Sequence, residues 1–364
     1  MKIQDIQTGE LSLPLLRPFH TALRTVKRLS SVVVRVQSTT GETGYGEAPP
    51  TAAITGETKD SILSAIHSFI RPALLDMDLS NLEDVFSRLS SCVPKNHSAK
   101  AAVDIALYDL YGKHLGKPLY ALLGGNRREL ETSLTISLDT PDQMAEDSLN
   151  AIRKGCRILK LKLGRGGNMD IRRVSAVREA VGPQIRLWVD ANQGWTPWEA
   201  ILTVSAMEQM GLHVELVEQP VDARNLMGMQ MVTRQVNTPV LADESVFSLL
   251  DAQKVLERNA ADAINIKLMK TGGIHSALTL CETAAAHGAP CMMGCMLESK
   301  IAVSAAAHLA AAKSVFAWTD LDGPLLCRTD PFEGGAIFSP GKILLTDAPG
   351  LGITKTPCSR WSGS

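Results

Sequence analysis

The chain has 364 residues, enough for a substantial core and about two domains, and 45% of them are hydrophobic while 21% are charged. Its 37 Lys and Arg residues nearly balance 38 Asp and Glu residues, which excludes the basic surface typical of proteins that bind nucleic acid or acidic membranes. No stretch has the unbroken apolar run of a signal peptide or membrane span, so we expect a cytoplasmic protein. Seven cysteines, an odd number in a long chain, indicate reduced thiols rather than a disulfide framework.

The first ~125 residues have the pattern of an α+β domain. Alternating apolar residues predict a strand around 30–37, and the following GETGYGEAPP segment is rich in turn residues. Segments of helical character then run from Lys59 to about Leu123. We therefore expect a mixed domain that precedes the rest of the fold.

From Ser133 onward, short β-rich runs alternate with longer Ala- and Leu-rich segments, which predicts repeated βα units and a parallel sheet. The predicted strands are 133–137, 157–163, 185–190, 213–218, 239–243, 262–267, 290–295 and 315–320. Eight such strands over about two hundred residues predict a (β/α)8-type barrel. A doubly wound sheet is the alternative, but no strand is followed by a G-x-G-x-x-G or Walker loop.

Three acidic residues end strands three, four and five: Asp190 in LWVDANQ, Glu218 in VELVEQP and Asp243 in PVLADES. One Asp at a strand end could be a helix N-cap, but three on adjacent strands would repel one another unless a cation offset their charge. Oxygen ligands without His or Cys predict Mg²⁺ rather than zinc. Asn192 could orient a metal ligand without itself binding the metal, or could form an Asx turn.

Two lysines on strand two and one on strand six have the spacing of paired bases. Lys160 and Lys162 in LKLKLG are two residues apart, so both face the barrel interior, and Lys267 ends the strand opposite. A neighbouring like charge, a cation and partial burial are all expected to lower a lysine pKa toward neutrality, as a general base requires. A carboxylate held on the metal would present its α-carbon between the lysines, and the cation would stabilise the resulting enediolate.

Asp320 and Asp322, in WTDLDGP, end strand eight with a two-residue spacing. They could cap the next helix, or they could bind a substrate ammonium group. The later segment GGAIFSPGKILLTDAPGLGI alternates like strand and turn, and we expect it to pack back on the N-terminal domain.

In this fixed order, the motifs LKLKLG, VDANQGW, VEQP, ADES, NIKLMKTGG, MMGCMLES and DLDGP resemble the enolase superfamily, in particular the dipeptide epimerases of its muconate-lactonizing subgroup. The resemblance implies a (β/α)7β barrel at 126–328, with a capping domain formed by residues 1–125 and the returning segment 329–364. It implies one Mg²⁺ ion per subunit. The implied metal ligands and bases are Asp190, Glu218 and Asp243, with Lys162 and Lys267 as the acid/base pair and Lys160 on the substrate carboxylate.

The same resemblance implies a small-molecule substrate, a dipeptide whose free ammonium group is bound by Asp320 and Asp322. A specificity loop near 17–28 would reach over the site, where Arg24 either pairs with a substrate glutamate side chain or is a solvated charge. Further substrate contacts are implied for Thr135, Cys295 and Leu297. The implied reaction is two-base 1,1-proton transfer that interconverts L-Ala-D-Glu and L-Ala-L-Glu in murein peptide recycling.

Three alternatives remain compatible with the sequence. The enzyme could epimerise other dipeptides, or it could be a cycloisomerase or o-succinylbenzoate synthase-like enzyme that uses one lysine and the metal. A barrel that binds without catalysis is the alternative from another class. Proteins of this fold often self-assemble, so a homo-oligomer is also compatible with the sequence.

Overall fold

The computed structural model describes residues 1–22 and 25–363 and begins with an antiparallel three-stranded sheet. Its strands are β1 (Ile3–His20), β2 (Thr25–Ser38) and β3 (Thr43–Ala48), hydrogen-bonded in that order. Of the 17–28 segment, which was expected to be a loop, residues 17–20 belong to β1 and residues 25–28 belong to β2. Pairing resumes there between Phe19 and Val26 after an irregularity that follows Pro14.

The prediction that GETGYGEAPP is mainly turn was wrong, because its residues Thr43–Ala48 form strand β3. Its glycines serve close packing, because a Cβ on Gly44 would lie 2.0 Å from the carbonyl oxygen of Ala106, and one on Gly46 1.8 Å from that of Ala102. The helix that carries both carbonyls therefore lies directly on this strand.

The predicted helical region after Lys59 is confirmed. It comprises α1 (Lys59–Ala65), a π-helical turn (Ile66–Ile70), α2 (Arg71–Leu74), α3 (Leu82–Ser91), α4 (His97–His114) and α5 (Leu119–Leu122). Helix α4 is buried on nearly every side because it packs between the three-stranded sheet and the helices of the second sheet described below.

All eight predicted barrel strands are present. After β4 (Glu129–Glu131), they are β5 (Leu134–Ile136), β6 (Ile158–Lys162), β7 (Arg186–Asp190), β8 (Val214–Glu218), β9 (Val240–Ala242), β10 (Ala263–Ile266), β11 (Cys291–Gly294) and β12 (Phe316–Asp320). They form one parallel sheet in chain order. The two outer strands meet where Ser133 N donates to Thr319 O at 3.1 Å, so the sheet is nearly closed as a barrel.

Helices connect these strands to give seven βα units and a final strand. They are α6 (Pro141–Arg153), α7 (Gly167–Val181), α8 (Pro197–Gln209), α9 (Leu226–Gln235), α10 (Leu249–Glu257), α11 (Leu268–Thr271), α12 (Ile274–Ala286) and α13 (Lys300–Ala312). The fold is thus the (β/α)7β barrel with a strand-rich cap. None of the helices in the described ranges is long and apolar enough to cross a membrane.

The N-terminal end of the barrel is filled by side chains. Trp188 and Trp318 both donate their indole N–H to the carboxylate of Glu215, at 3.0 Å and 3.1 Å, and Arg186 binds both oxygens of the same group. A small apolar cluster around Trp188 packs above this network. The polar site therefore lies at the opposite, C-terminal end of the strands.

The C-terminal segment follows a 3-10 turn (Gly323–Leu326) and contains β13 (Glu333–Gly334), β14 (Ile337–Ser339), β15 (Lys342–Leu344) and β16 (Ile353–Lys355). Strand β15 pairs with β4 beneath the barrel, whereas Ser362 pairs with Thr8 of the first sheet. The guanidinium group of Arg35 lies 4.4 Å from the ring centre of Trp361. The segment thus contacts both parts of the chain.

A carboxylate of the first sheet also joins the two parts. Glu47 is fully buried and accepts hydrogen bonds from Ser31 Oγ, Ser299 N, Ser299 Oγ and Ala302 N, at 2.6–3.2 Å. It therefore caps α13 from outside the barrel and holds the loop after β11 against the cap.

Candidate active site

Charged side chains meet at the C-terminal ends of the barrel strands because the strands are in register. Lys162 on β6 lies opposite Asp190 on β7, which in turn lies opposite Glu218 on β8. Asp243 follows β9, and Lys267 follows β10. All five are buried, so each charge depends on its neighbours rather than on water for stabilisation.

Lys160 lies at the centre of this arrangement and is only 1% exposed. Its Nζ is 2.7 Å from Asp320 Oδ2, 2.6 Å from Glu218 Oε2 and 3.2 Å from Asp190 Oδ2. Lys162 Nζ donates to Asp190 Oδ2 at 2.6 Å. The two lysines of β6 therefore link the acidic strand ends to Asp320 across the barrel mouth.

The far side of the site has a second pair of lysines, of which only Lys267 was predicted as a site residue. Lys267 Nζ donates to Asp243 Oδ2 at 2.5 Å, and Lys270 Nζ contacts Asp243 Oδ1 at 2.6 Å. Lys270 is fully buried and also donates to Asn265 O at 2.9 Å. A lysine inside the apolar run INIKLMK was the signal that could have revealed it, because an unpaired buried ammonium group is costly.

The pKa values of two lysines differ from the expected lowering. Burial alone would lower the pKa of Lys160, but attraction to Asp320, Glu218 and Asp190 outweighs it and raises the pKa well above its ordinary value. The pKa of Lys267 is likewise raised, because Asp243 and Glu218 outweigh burial. The expectation assumed a cation beside the carboxylates; in the protein alone, the lysines themselves neutralise these groups.

The acidic groups respond to the same surroundings in opposite directions. Burial and the charge of Asp190 raise the pKa of Glu218 to about 8. Burial also acts on Asp243, but Lys267 and Lys270 outweigh it and lower the pKa of that carboxyl group. Glu244, which was not predicted as a site residue, has a pKa raised to about 7 by burial and by Asp243. The crowding of acidic groups at this end of the site thus opposes the ionisation of Glu218 and Glu244 in the protein alone.

Several oxygens here lack hydrogen-bond donors among the residues that the structure describes: Glu218 Oε2, Asn192 Oδ1, Glu244 Oε2 and Asn265 Oδ1. The close contact between Lys160 and Glu218 Oε2 is an ion pair without hydrogen-bond geometry. Within 1–22 and 25–363, no three Asp, Glu, His or Cys side chains converge on one point as a metal site. Lysine ammonium groups lie between the carboxylates instead, and the orphaned oxygens are hard donors suited to a divalent cation.

Asn192 contacts acidic groups through both its backbone and its side chain. Its backbone N–H donates to Asp190 Oδ1 at 2.8 Å, which is an Asx-type turn, and it has a positive φ of 43°. Its side-chain amide donates to Glu244 Oε1 at 3.3 Å. The side-chain amide of Asn265 likewise donates to Glu218 Oε1 at 3.0 Å. These amides help orient acidic groups at the strand ends.

Asp320 and Asp322 lie beside β5 and Lys160, where the barrel closes. Ser133 Oγ donates to Asp320 Oδ1 at 2.7 Å, and Thr135 N donates to Asp322 Oδ2 at 2.6 Å. Burial and the charge of Asp320 raise the pKa of Asp322 to about 6. Neither aspartate caps a following helix through its side chain. The pair therefore forms an acidic corner, held by the first barrel strand.

A cavity of about 60 Å³ joins most of these groups. Its lining includes nine predicted site residues: Thr135, Lys160, Lys162, Asn192, Lys267, Cys295, Leu297, Asp320 and Asp322. Asp190, Glu218 and Asp243 lie behind the lysines and do not line it. The cap contributes Phe19, Thr21 and Ile54, which were not predicted individually. Arg24, predicted to contact the substrate, lies outside the described residues.

The loop after β11 forms another wall of this cavity. Cys295 donates from both its backbone N–H and its Sγ to Asp320 O, at 3.2 Å and 3.3 Å. Burial raises the pKa of this thiol well above its ordinary value, so Cys295 is a neutral wall residue rather than a nucleophile. Leu297 lines the same side.

Comparisons with known proteins agree with this architecture. Residues 6–124 match the family described as mandelate racemase/muconate lactonizing enzyme, N-terminal domain, and residues 143–357 match the enolase C-terminal domain-like family. The L-Ala-D/L-Glu epimerase of Clostridium acetobutylicum is 51% identical over 353 residues, covering 97% of this chain and 99% of the relative.

Two solved structures are also similar over nearly their full length. A substrate-liganded L-Ala-D/L-Glu epimerase from Bacillus subtilis has a TM-score of 0.96 and 46% identity, covering 97% of this chain and 99% of that one. A dipeptide epimerase from Enterococcus faecalis, complexed with Mg and L-Leu-L-Tyr, has a TM-score of 0.94 and 40% identity, covering 98% and 100%. The chain therefore belongs to the mandelate racemase/muconate lactonizing enzyme family of the enolase superfamily.

Proposed function

We propose that this enzyme, an isomerase of the enolase superfamily, is a Mg²⁺-dependent dipeptide epimerase that inverts the α-carbon of the C-terminal residue. One observation carries the proposal. Lys162 and Lys267 line a single cavity from β6 and β10, four strands apart in an eight-stranded ring, and Asp320 and Asp322 line the same cavity. Two bases on opposite walls with an acidic corner between them suit a substrate with an ammonium group and an acidic C–H bond.

Asp190, Glu218 and Asp243 would hold the metal. Their oxygens come from adjacent strands, and six carboxyl groups, including Glu244, Asp320 and Asp322, surround four lysines in this region of the described structure. A divalent cation would compensate that excess and would bind Glu218 Oε2, which has an ion-pair contact with Lys160 but no hydrogen-bond donor. Mg²⁺, when bound, would supply positive charge that stabilises the enediolate form of the substrate. Similar enzymes crystallised with Mg support this assignment.

The chain's own residues would carry the proton. Lys160, whose ammonium group is fixed by three carboxylates, would bind the substrate carboxylate and increase the acidity of the adjacent C–H bond. One of Lys162 and Lys267, in its neutral form, would remove the α-proton, and the other, as ammonium, would return a proton to the opposite face. The cap residues Phe19 and Ile54 would limit water at the reacting carbon.

Asp320 and Asp322 would bind the free ammonium group at the N-terminus of the dipeptide. Hydrogen bonds from Ser133 and Thr135 orient both carboxylates. Lys160 forms its ion pair with Asp320, so Asp322 has no direct ion pair among the described residues. An ammonium-binding corner has no use in a cycloisomerase or an o-succinylbenzoate synthase-like enzyme. We therefore favour epimerisation over β-elimination.

L-Ala-D-Glu and L-Ala-L-Glu are the proposed substrates, and murein peptide recycling is the proposed role. Relatives named L-Ala-D/L-Glu epimerase at 46–51% identity support this choice. Arg24 would pair with the substrate glutamate side chain. Replacing Arg24 with Ala should lower kcat/KM for L-Ala-L-Glu at least tenfold more than for L-Ala-L-Leu, and an unchanged preference would refute this role.

Epimerisation of apolar dipeptides is the second candidate. The described non-catalytic lining of the cavity is mostly apolar, with Phe19, Ile54, Met296, Leu297 and Leu326. A similar enzyme from Enterococcus faecalis was crystallised with L-Leu-L-Tyr. A panel of L-Ala-L-X dipeptides would rank the two candidates by kcat/KM.

Proton exchange in D₂O tests the proposed reaction. Purified enzyme with Mg²⁺ and L-Ala-L-Glu should incorporate deuterium at the glutamate α-carbon and form L-Ala-D-Glu, detected by NMR and chiral chromatography. Lys162→Ala and Lys267→Ala should each lower epimerisation by a factor of about 10² or more. The exposed Lys254→Ala variant is the matched control and should retain full activity. A new double bond or ring in the product would instead identify elimination or cycloisomerisation.

A further inference from the structure

A cavity lies between the cap and the barrel, outside the candidate active site. Its volume is about 300 Å³, at the lower end of the range of about 300–1,000 Å³ typical of ligand pockets. Helices α3 and α4 of the cap form one side, and the β9–α10 connection, α11 and α12 of the barrel form the other. Within 1–22 and 25–363, it shares no lining residue with the active-site cavity. The rim residues Ser90, Leu249 and Thr279 are exposed, so the cavity opens to solvent.

A buried lysine without a carboxylate partner lines this cavity. Lys100 on α4 is 9% exposed, and its Nζ donates to Ser90 O at 2.6 Å. It forms no ion pair with any carboxylate that the structure describes. Glu57 instead caps α4, accepting hydrogen bonds from Ser98 N and Ala99 N at 2.9 Å and 3.2 Å. A buried ammonium group in this position is costly, and a bound anion would supply the missing counter-charge.

The other ionisable groups on the wall do not neutralise this charge. Asp104 caps α12, accepting hydrogen bonds from Ile274 N and His275 N at 2.6 Å and 3.2 Å. Burial raises the pKa of Asp104 to about 8, so this group is largely uncharged at pH 7. Burial lowers the pKa of His97, which also lines the cavity. Positive charge from Lys100 therefore predominates on the wall at neutral pH.

The remaining wall suits an apolar ligand group. Phe86 and Leu89 of α3 line the cavity from the cap, and Phe247 and Leu280 line it from the barrel. The ring of Phe86 stacks on that of His275, with 4.7 Å between the ring centres. A ligand that fills this space would thus combine one anionic group with an apolar body.

We propose that this cavity is a binding site for a small carboxylate that carries an apolar or aromatic group. The carboxylate would pair with the ammonium group of Lys100, and the apolar group would lie between Phe86 and Phe247. Because the ligand would contact the cap and the barrel together, its binding should also stabilise the folded protein. The site is separate from the active-site cavity, so its occupancy does not depend on the proposed function.

Calorimetric titration of the whole chain with 3-phenylpropanoate at pH 7 tests the site. This probe should bind at least tenfold more tightly than 3-phenylpropanamide, which lacks the charge, and than acetate, which lacks the apolar group. Inorganic phosphate, an anion without an apolar part, should also bind at least tenfold more weakly. No binding of 3-phenylpropanoate, equal affinity for the amide, or tighter binding of phosphate would each overturn the proposal.

Substitution of Lys100 locates the bound probe. Lys100→Met replaces the ammonium group with an apolar end, a change that buried charged positions often tolerate, and should lower the affinity for 3-phenylpropanoate at least tenfold. Lys254→Met, at an exposed position on α10 outside the cavity, is the matched control and should bind the probe as wild type does. Unchanged affinity in Lys100→Met would place the probe elsewhere, for example on the active-site lysines, and would contradict the proposal.

Blocking the cavity provides a second arm that does not depend on how Lys100→Met folds. Thr279→Trp adds a large side chain at the exposed rim on α12 and should abolish binding of 3-phenylpropanoate. Glu282→Trp, at an exposed position of the same helix outside the cavity, should retain it. Equal affinities in these two variants would refute the assignment of the probe to this cavity.

Discussion

Acidification should destabilise the fold through one buried histidine on the helix that follows β11. His308 is 1% exposed, its Nδ1 accepts a hydrogen bond from Tyr120 N at 3.0 Å, and its ring stacks on that of Tyr120 at 5.6 Å. Protonation at Nδ1 would replace this acceptor with a second donor and would place a charge in an apolar interior. Burial accordingly lowers the pKa of His308 to about 3 from its ordinary value of 6.5.

The sign and size of the effect follow from proton linkage. Between pH 6.5 and 3 the unfolded chain binds a proton at His308 that the folded chain does not, so this contribution is fully present above pH 6.5 and is lost as the pH falls. Each pH unit in this window costs about 1.4 kcal/mol, so pH 5 should remove about 2 kcal/mol relative to pH 8.

Urea denaturation at pH 8, 6 and 5, followed by circular dichroism, measures this loss for the wild-type protein and for His308→Asn. The Asn side chain retains an acceptor near Tyr120 N but does not titrate, so its free energy of unfolding should fall by about 2 kcal/mol less between pH 8 and pH 5. His287→Asn, at an exposed position on the end of α12, is the control and should behave as wild type. Parallel curves for wild type and His308→Asn would refute the reasoning.

Three further predictions concern the site and its supports. Asp322→Asn should raise KM for L-Ala-L-Glu at least tenfold with a smaller effect on kcat, and an unchanged KM would remove this residue from ammonium binding. Ser133→Ala should raise KM less, because it removes one hydrogen bond to charged Asp320, worth ~1.5–3 kcal/mol, and Ser133→Thr should restore it. Mg²⁺ at 100 times its Kd should raise the free energy of unfolding by about 2.7 kcal/mol, measured by thermal denaturation, with EDTA reversing the gain; no shift would contradict the metal assignment.

The barrel was predictable because its strands carry strong, short-range signals. Each strand is a brief β-rich run, nearly all of these runs are followed by Gly, Pro, Asn or Ser, and buried parallel strands are apolar on both faces. Charged residues such as Lys160 and Asp190 in those runs could face only the interior or the strand ends. Their position in the sequence therefore identified the candidate site.

The cap was less predictable because its signals depend on packing. Gly44 and Gly46 were interpreted as turn residues, yet they lie in a strand and leave room for the carbonyls of α4, a contact made across about 60 residues of sequence. Strand β1 contains Pro14 and a polar segment, so its alternation is weak, and its pairing with β2 decides its conformation.

Ion pairs between residues that are far apart in the sequence could not be predicted either. Lys270 follows Lys267 by three residues, and nothing local shows that both contact Asp243. In the protein alone, burial of Lys160 and Lys267 is outweighed by attraction to several carboxylates from other strands, which raises the pKa of both lysines, and the lowered pKa expected beside a bound cation stays a prediction. Weighing burial against the attraction of several carboxylates requires the three-dimensional positions of the charged groups.

Stereochemistry of α-proton exchange by single-lysine variants tests the two-base proposal most directly. Lys162 and Lys267 lie on opposite walls, so each variant should lose epimerisation but retain measurable α-proton exchange with D₂O from only one epimer of Ala-Glu. The epimer that exchanges should be opposite in the two variants. Exchange of both epimers by either variant, or of the same epimer by both, would contradict the proposal that these two lysines act on opposite faces of one carbon.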